Sequence, residues 1–116
     1  MSIADTFRTV LLAFALMATA LGSTSVHAQQ ATDIQLTYSN GQFQPSNLSA
    51  PADKPLSLRL KNLDAKAMEF ESKSLRVEKV VAAKSEAVIN VRALKPGRYE
   101  FYDDFNEKAR GALNVQ

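Results

Sequence analysis

A two-residue rhythm of apolar side chains, repeated in short runs, constrains this chain more than any other feature. Ile34, Leu36 and Tyr38 alternate in DIQLTY, and Leu56, Leu58 and Leu60 in PLSLRLKN. Leu75 and Val77, Ile89 and Val91, Tyr99 and Phe101, and Leu113 and Val115 continue it to the end of the chain. Successive side chains on a strand point to opposite faces, so each run offers one face to a core and one to water. Ser39-Asn40-Gly41 and Lys95-Pro96-Gly97 are turn signals between runs, and the Pro-bearing stretch GQFQPSNLSAPADKP reads as irregular or edge chain. Asp64–Met68 and Asn106–Arg110 are each long enough for a single helical turn, and no longer amphipathic helix is visible. The pattern predicts an all-β fold of about seven short strands in an antiparallel Greek-key β-sandwich.

The first residues follow a different rule. Arg8 precedes the apolar run Val10–Ala18, which fades through Thr19-Ala20-Leu21-Gly22 into Ser23–Ala28 with a Val-x-Ala ending. A charged start, a short apolar stretch and a small-residue cleavage site are the parts of a secretory signal peptide. The apolar run falls short of the roughly 20 residues that a membrane-spanning helix requires. The expected division is a signal peptide over 1–28, cut after Ala28, and one domain over 29–116, exported most simply to a bacterial periplasm and without a membrane anchor after cleavage.

The chain has no Cys and a single His, His27, which leaves with the signal. The mature domain is therefore expected to hold neither a disulfide nor the two side chains best suited to soft or borderline metals. Asp5 and Arg8 cancel, so the formal charge of +2 is carried by the mature part. So small a charge, evenly mixed along the chain, argues against nucleic acid or an anionic membrane as partner.

Two stretches can carry chemistry. In KNLDAKAMEFESKSL, extended backbone over residues 69–71 puts Glu69 and Glu71 on one face and Phe70 in the core. Two carboxylates roughly 7 Å apart along a strand can share a cation or stand in water, and a solvated edge is the simpler reading. Met68 is likewise more simply explained as a core filler than as a ligand. In KPGRYEFYDDFNEKARG, Asp103 and Asp104 adjoin a loop with Asn106 and Glu107. Asp favours turns over strands, so the pair can simply end the strand, with Lys108 and Arg110 near enough to neutralise it.

Together these stretches resemble a known frame. From Asp33 to Gln116 the sequence is similar to a cupredoxin-type domain. Asn62-x-Asp64, Leu94-Lys95-Pro96-Gly97-x-Tyr99-x-Phe101 and Gly111-x-Leu113-x-Val115 carry the likeness. Within that fold, EFES, L-x-V-E-K-V and PGRYEFYDDF resemble the small periplasmic cupredoxin-like component of ferrous iron uptake systems (FtrB) and the related EfeO-type domain. The resemblance implies that the two stretches meet at one end of a sandwich. It also implies an iron permease and a second periplasmic metal-binding protein as partners. Carried over by position, Glu69 stands where the first copper His would be, Asp103 at the Cys position and Asn106 at the second His, with Met68 and Asp104 beside them. Members of this branch often keep a His after DDF, so Asn106 is a departure.

Thiolate and imidazole suit copper, whereas carboxylate and amide oxygens suit harder cations. The expected metal ligands are thus Glu69, Asp103, Asp104, Met68 and Asn106, with iron favoured over copper. Oxygen ligands hold Fe(III) more tightly than Fe(II). A ten-thousand-fold preference would lower the iron potential by roughly 240 mV, which eases oxidation of Fe(II). Three functions follow as expectations: an iron-binding component of a ferrous iron importer with ferroxidase-type assistance, a metal-free sandwich that holds partner proteins together, and, least in keeping with the residues, a copper electron-transfer protein.

Overall fold

In a computed structural model, residue 22 and residues 30–116 are described. The expected signal peptide over 1–28 and its cleavage point lie outside the described residues, apart from residue 22. Nine strands form: β1 Thr32–Ser39, β2 Gln42–Gln44, β3 Asn47–Ala50, β4 Leu56–Asn62, β5 Met68–Ser72, β6 Val77–Val81, β7 Glu86–Val91, β8 Gly97–Asp103 and β9 Asn106–Val115. They make a four-stranded sheet in the order β2-β1-β4-β7 and a five-stranded sheet in the order β3-β9-β8-β5-β6.

The all-β sandwich expected from the alternation is what the chain forms. Inward residues of β1, β4 and β7 (Ile34, Leu36, Leu58, Leu60, Ile89 and Val91 among them) face Leu48, Met68, Phe70, Phe101, Leu113 and Val115 of the other sheet in one buried cluster. Four aromatic rings fill its middle. Phe43 lies edge-on to Tyr38, Phe101 and Phe70 with centroids 5.1, 4.9 and 6.2 Å away. Each such pair adds about 0.5–1.5 kcal/mol beyond area burial.

Most neighbours are antiparallel, but β1 runs parallel to β4 and β3 parallel to β9. Both follow from the Pro-bearing stretch, which forms two short strands instead of irregular chain. β2 pairs back on β1 through the Asn40-Gly41 turn, where both residues have positive φ (53° and 68°), as a tight two-residue hairpin requires. β3 then crosses to the other sheet. Asn106–Arg110 is no helical turn: it opens β9, pairing with the end of β8 across a bulge at Tyr102/Asp103. Asp64–Lys66 is a bend, not a helix, and Met68 already belongs to β5.

Candidate metal centre

The β4–β5 bend is built by Asn62 and Asp64. Asn62 is wholly buried; its Nδ2 donates to the carbonyls of Lys66 (2.8 Å), Val81 (3.2 Å) and Ala82 (3.2 Å), and its Oδ1 accepts from the Asp64 amide at 3.0 Å. Asp64 in turn accepts from the amides of Asn40 (2.7 Å) and Gly41 (2.9 Å), clamping the β1–β2 turn onto the same end of the sandwich. The Asn-x-Asp motif is a loop clasp, with every polar atom engaged in holding backbone.

Asp103 ends β8 and is 2 % exposed. Its Oδ2 accepts from the Tyr38 hydroxyl at 2.5 Å, and its Oδ1 accepts from the amides of Glu69 (2.9 Å) and Phe105 (3.0 Å). Burial, followed by the bond to Asp103, pushes the Tyr38 phenol up to about 12, so Tyr38 stays a donor. Asn106, opposite Asp103 in the ladder, is half-buried beside Tyr38. Its Nδ2 lies 3.1 Å from where a Cβ on Gly41 would stand. Tyr38, Asp64, Asp103 and Asn106 line an end cleft of about 420 Å³.

Alternation along β5 divides the five expected ligands between two faces. Phe70 pairs with Asp103, so both point inward, and Met68, fully buried opposite Val81, points the same way. Glu69 turns outward, as does Glu71 two residues on. The Asp104 amide donates to the Glu69 carbonyl at 2.9 Å, bringing Asp104 to this outer face. One carboxylate oxygen from each of Glu69, Glu71 and Asp104 lies within 4.8 Å of the others. Glu69 is only 8 % exposed, and no donor among the described residues reaches its buried Oε1. A buried carboxylate oxygen without a donor is costly, and a cation is the partner that would satisfy it.

The rest of the outer face forms a lateral row. Glu71 stands opposite Glu78 of β6 on one side and Tyr102 of β8 on the other, and Tyr102 stands opposite Arg110 of β9. The Arg110 guanidinium lies 5.2 Å from the centre of the Tyr102 ring. Packing so many carboxylates together favours the protonated forms of Glu69 and Glu71. The Glu78 carboxyl, near enough to share a proton, pushes Glu69 up to about 7, with burial and the charges of Asp104 and Glu71 adding to it. Burial and then Asp104 raise Glu71, and burial and then Glu71 raise Tyr102. Glu71 was legible as sharing the face of Glu69, but Glu78 and Tyr102 join the group only through strand pairing, which no local motif announces.

Residues 11–115 match the cupredoxin-like domain family. The chain belongs to that family. An uncharacterized protein of Rickettsia prowazekii (strain Madrid E) is 32% identical over 84 residues, which make up 72% of this chain and 67% of that protein. Among solved structures, the metal-binding domain of the Cu(I)-exporting P-type ATPase CopA of Streptococcus pneumoniae D39, with Cu(I), superposes with a TM-score of 0.66 at 15% identity. That match covers 72% of this chain and 84% of that one. Auracyanin from Roseiflexus castenholzii gives 0.62 at 13% identity over 74% and 98% of the two chains. A purple cupredoxin from Nitrosopumilus maritimus gives 0.55 at 16% identity over 72% and 100%. At such identities the likeness is one of fold.

The family's usual metal does not fit what this cupredoxin-like chain has at the inner end. The sequence has no Cys, and its one His, His27, lies outside the described residues. The buried Asp103 carboxylate is already occupied by three donors. No thiolate–imidazole copper centre can be assembled from Met68, Asp103 and Asn106. The outer carboxylates, by contrast, suit a hard cation.

Proposed function

We propose that this protein is a periplasmic metal-binding component of a ferrous iron uptake system. It takes iron as cargo on Glu69, Glu71 and Asp104, eases oxidation of Fe(II), and passes the ion to an iron permease with a second periplasmic metal-binding protein. The observation that carries this reading is the donorless, buried Oε1 of Glu69 within a group of three converging carboxylates. Oxygen donors of this kind prefer Fe(III) to Fe(II) and so pull the couple toward oxidation. The resemblance of EFES and PGRYEFYDDF to iron-uptake components supplies the cellular setting.

Anaerobic titration with Fe(II), followed by air, tests it. Saturation near one equivalent, lost in Glu69→Gln and Glu71→Gln but kept in Asp103→Asn, supports the site, and oxidation faster than in buffer supports assistance. Absence of saturable binding overturns it.

A second reading rests on different residues. Phe105 and Val80 are 58 % and 54 % exposed; Val80 sits opposite Glu69 in the ladder and Phe105 follows Asp104. Exposed apolar residues beside the acidic group suit a module that grips partner proteins without metal. That module would bind its partners equally well in metal-free buffer and in Glu69→Gln.

A further inference from the structure

The three carboxylates do not exhaust the oxygen donors of the outer face. Tyr102 is half-buried and stands directly across the ladder from Glu71. Cβ atoms so placed are about 4.5–5.5 Å apart, and a phenol is long enough to bring its oxygen to the carboxyl end of the opposite Glu. The ladder pairing thus turns the hydroxyl toward the Glu71 carboxylate, whose charge, after burial, raises the phenol's pKa. On its far side the ring carries the Arg110 guanidinium, which has no carboxylate partner within 4.0 Å among the described residues. The ring also borders an open groove, lined with Arg110 and Glu107, that leaves the outer face reachable from solvent.

We propose that the Tyr102 oxygen is a direct ligand of the cation held by Glu69, Glu71 and Asp104, making the site selective for trivalent iron. The inference rests on the carboxylate site proposed above. Four anionic oxygen donors over-neutralise a divalent ion and come closer to matching a trivalent one. Phenolate is a harder and more basic donor than carboxylate, so its gain on going from a divalent to a trivalent ion is larger. When the site is loaded with Fe(III) directly, the phenol proton passes to solvent as the oxygen–iron bond forms, and no electron moves. Glu78 stands behind Glu71 and supplies further negative charge without being required as a ligand.

The test is to load the purified protein with Fe(III) from its nitrilotriacetate complex and record visible absorption and resonance Raman spectra. Wild type, Tyr102→Phe and Glu69→Gln are compared, with Mn(II) binding measured in parallel. Tyr102→Phe keeps the ring under Arg110, so the fold and the carboxylates are undisturbed. The expected result is a phenolate-to-Fe(III) charge-transfer band with tyrosinate vibrations in wild type, absent in Tyr102→Phe. The same variant still binds one Fe(III), at least about 10-fold more weakly, since losing even an outer partner of a ligand costs about 10- to 100-fold. Its Mn(II) affinity falls by a smaller factor, so the preference for the trivalent ion narrows. Fe(III) bound without the band in wild type, or a band surviving in Tyr102→Phe, overturns the role of Tyr102 while leaving the carboxylate site standing. No Fe(III) or Mn(II) binding in wild type, or binding that Glu69→Gln leaves intact, overturns both.

Discussion

The Glu69 amide donates to Asp103 Oδ1 across 2.9 Å, while the Glu69 carboxyl group stands on the opposite face of the same sheet. One residue thus joins two roles: its backbone secures the inner end of the sandwich and its side chain opens the outer acidic group. Asp103 takes the structural share, because its three donors would all be orphaned by truncation. Hydrogen bonds to a charged acceptor are worth roughly 1.5–3 kcal/mol each, and buried donors left unpaired add to the loss. Asp103→Ala should therefore lose about 3 kcal/mol or more in urea unfolding. Asp103→Asn, which can still accept through its amide oxygen, should lose less and keep outer-face metal binding.

Asn62 is a similar case at the neighbouring loop. Its amide donates to three carbonyls and accepts from one amide, and no solvent can replace it at zero exposure. Asn62→Ala should cost about 2–4 kcal/mol. Hydrogen exchange should quicken first at Asp64, whose amide donates to Asn62 Oδ1, and then at Asn40 and Gly41, whose amides donate to Asp64. Asn62→Asp should not rescue it, since a carboxylate cannot donate to carbonyls.

How much of this was legible beforehand depends on the range of the signal. Alternation in DIQLTY, PLSLRL and AVINV is local, and β1, β4 and β7 appear where it predicts. The same local rule correctly placed Glu69 and Glu71 together with Phe70 inward. β2 and β3 escaped because they are three and four residues long around Pro45, too short to show a period. The opening of β9 resembled a helical turn because NEKAR lacks apolar alternation; only its pairing with β8 makes it a strand. The ligand set suffered from the same limit. Linear carry-over from the copper frame grouped Asp103 with Glu69, yet the pleat sends them to opposite faces, and Tyr102 and Glu78 arrive from strands that no spacing rule connects to β5.

Gly111 tests how tightly the inner face is packed. It lies opposite Phe101, and a Cβ there would stand 2.4 Å from the Phe101 ring and 2.8 Å from the Ser46 carbonyl oxygen. The ring could yield only by leaving its place between Phe43 and Phe70, and the carbonyl belongs to backbone that accepts the Ala112 amide at 2.8 Å. Gly111→Ala should destabilise by about 1–3 kcal/mol in thermal or urea unfolding. A silent substitution would mean that the β3–β9 contact is looser than described.

Protonation of Glu69 links stability to metal binding with opposite signs. Its folded value near 7 lies above the ordinary carboxyl value of 4.5, chiefly because of the neighbouring Glu78 carboxyl, with burial and the charges of Asp104 and Glu71 adding to it. Between those two values the folded state keeps a proton that the unfolded chain has released, so stability falls as pH rises. The metal-free protein should therefore lose stability from pH 5 to pH 8 through this group, and Glu69→Gln should flatten that part of the profile. Metal binding runs the other way, because a cation must displace the Glu69 proton, so affinity should climb through about pH 7 and level off above it. Thermal unfolding at several pH values, with and without Fe(III), measures both at once. The stabilisation by metal should be largest where the metal-free protein is weakest, near pH 8. Equal stabilisation at pH 5 and pH 8 would show that Glu69 is not the group the cation displaces a proton from, and would move the site off this face of the sheet.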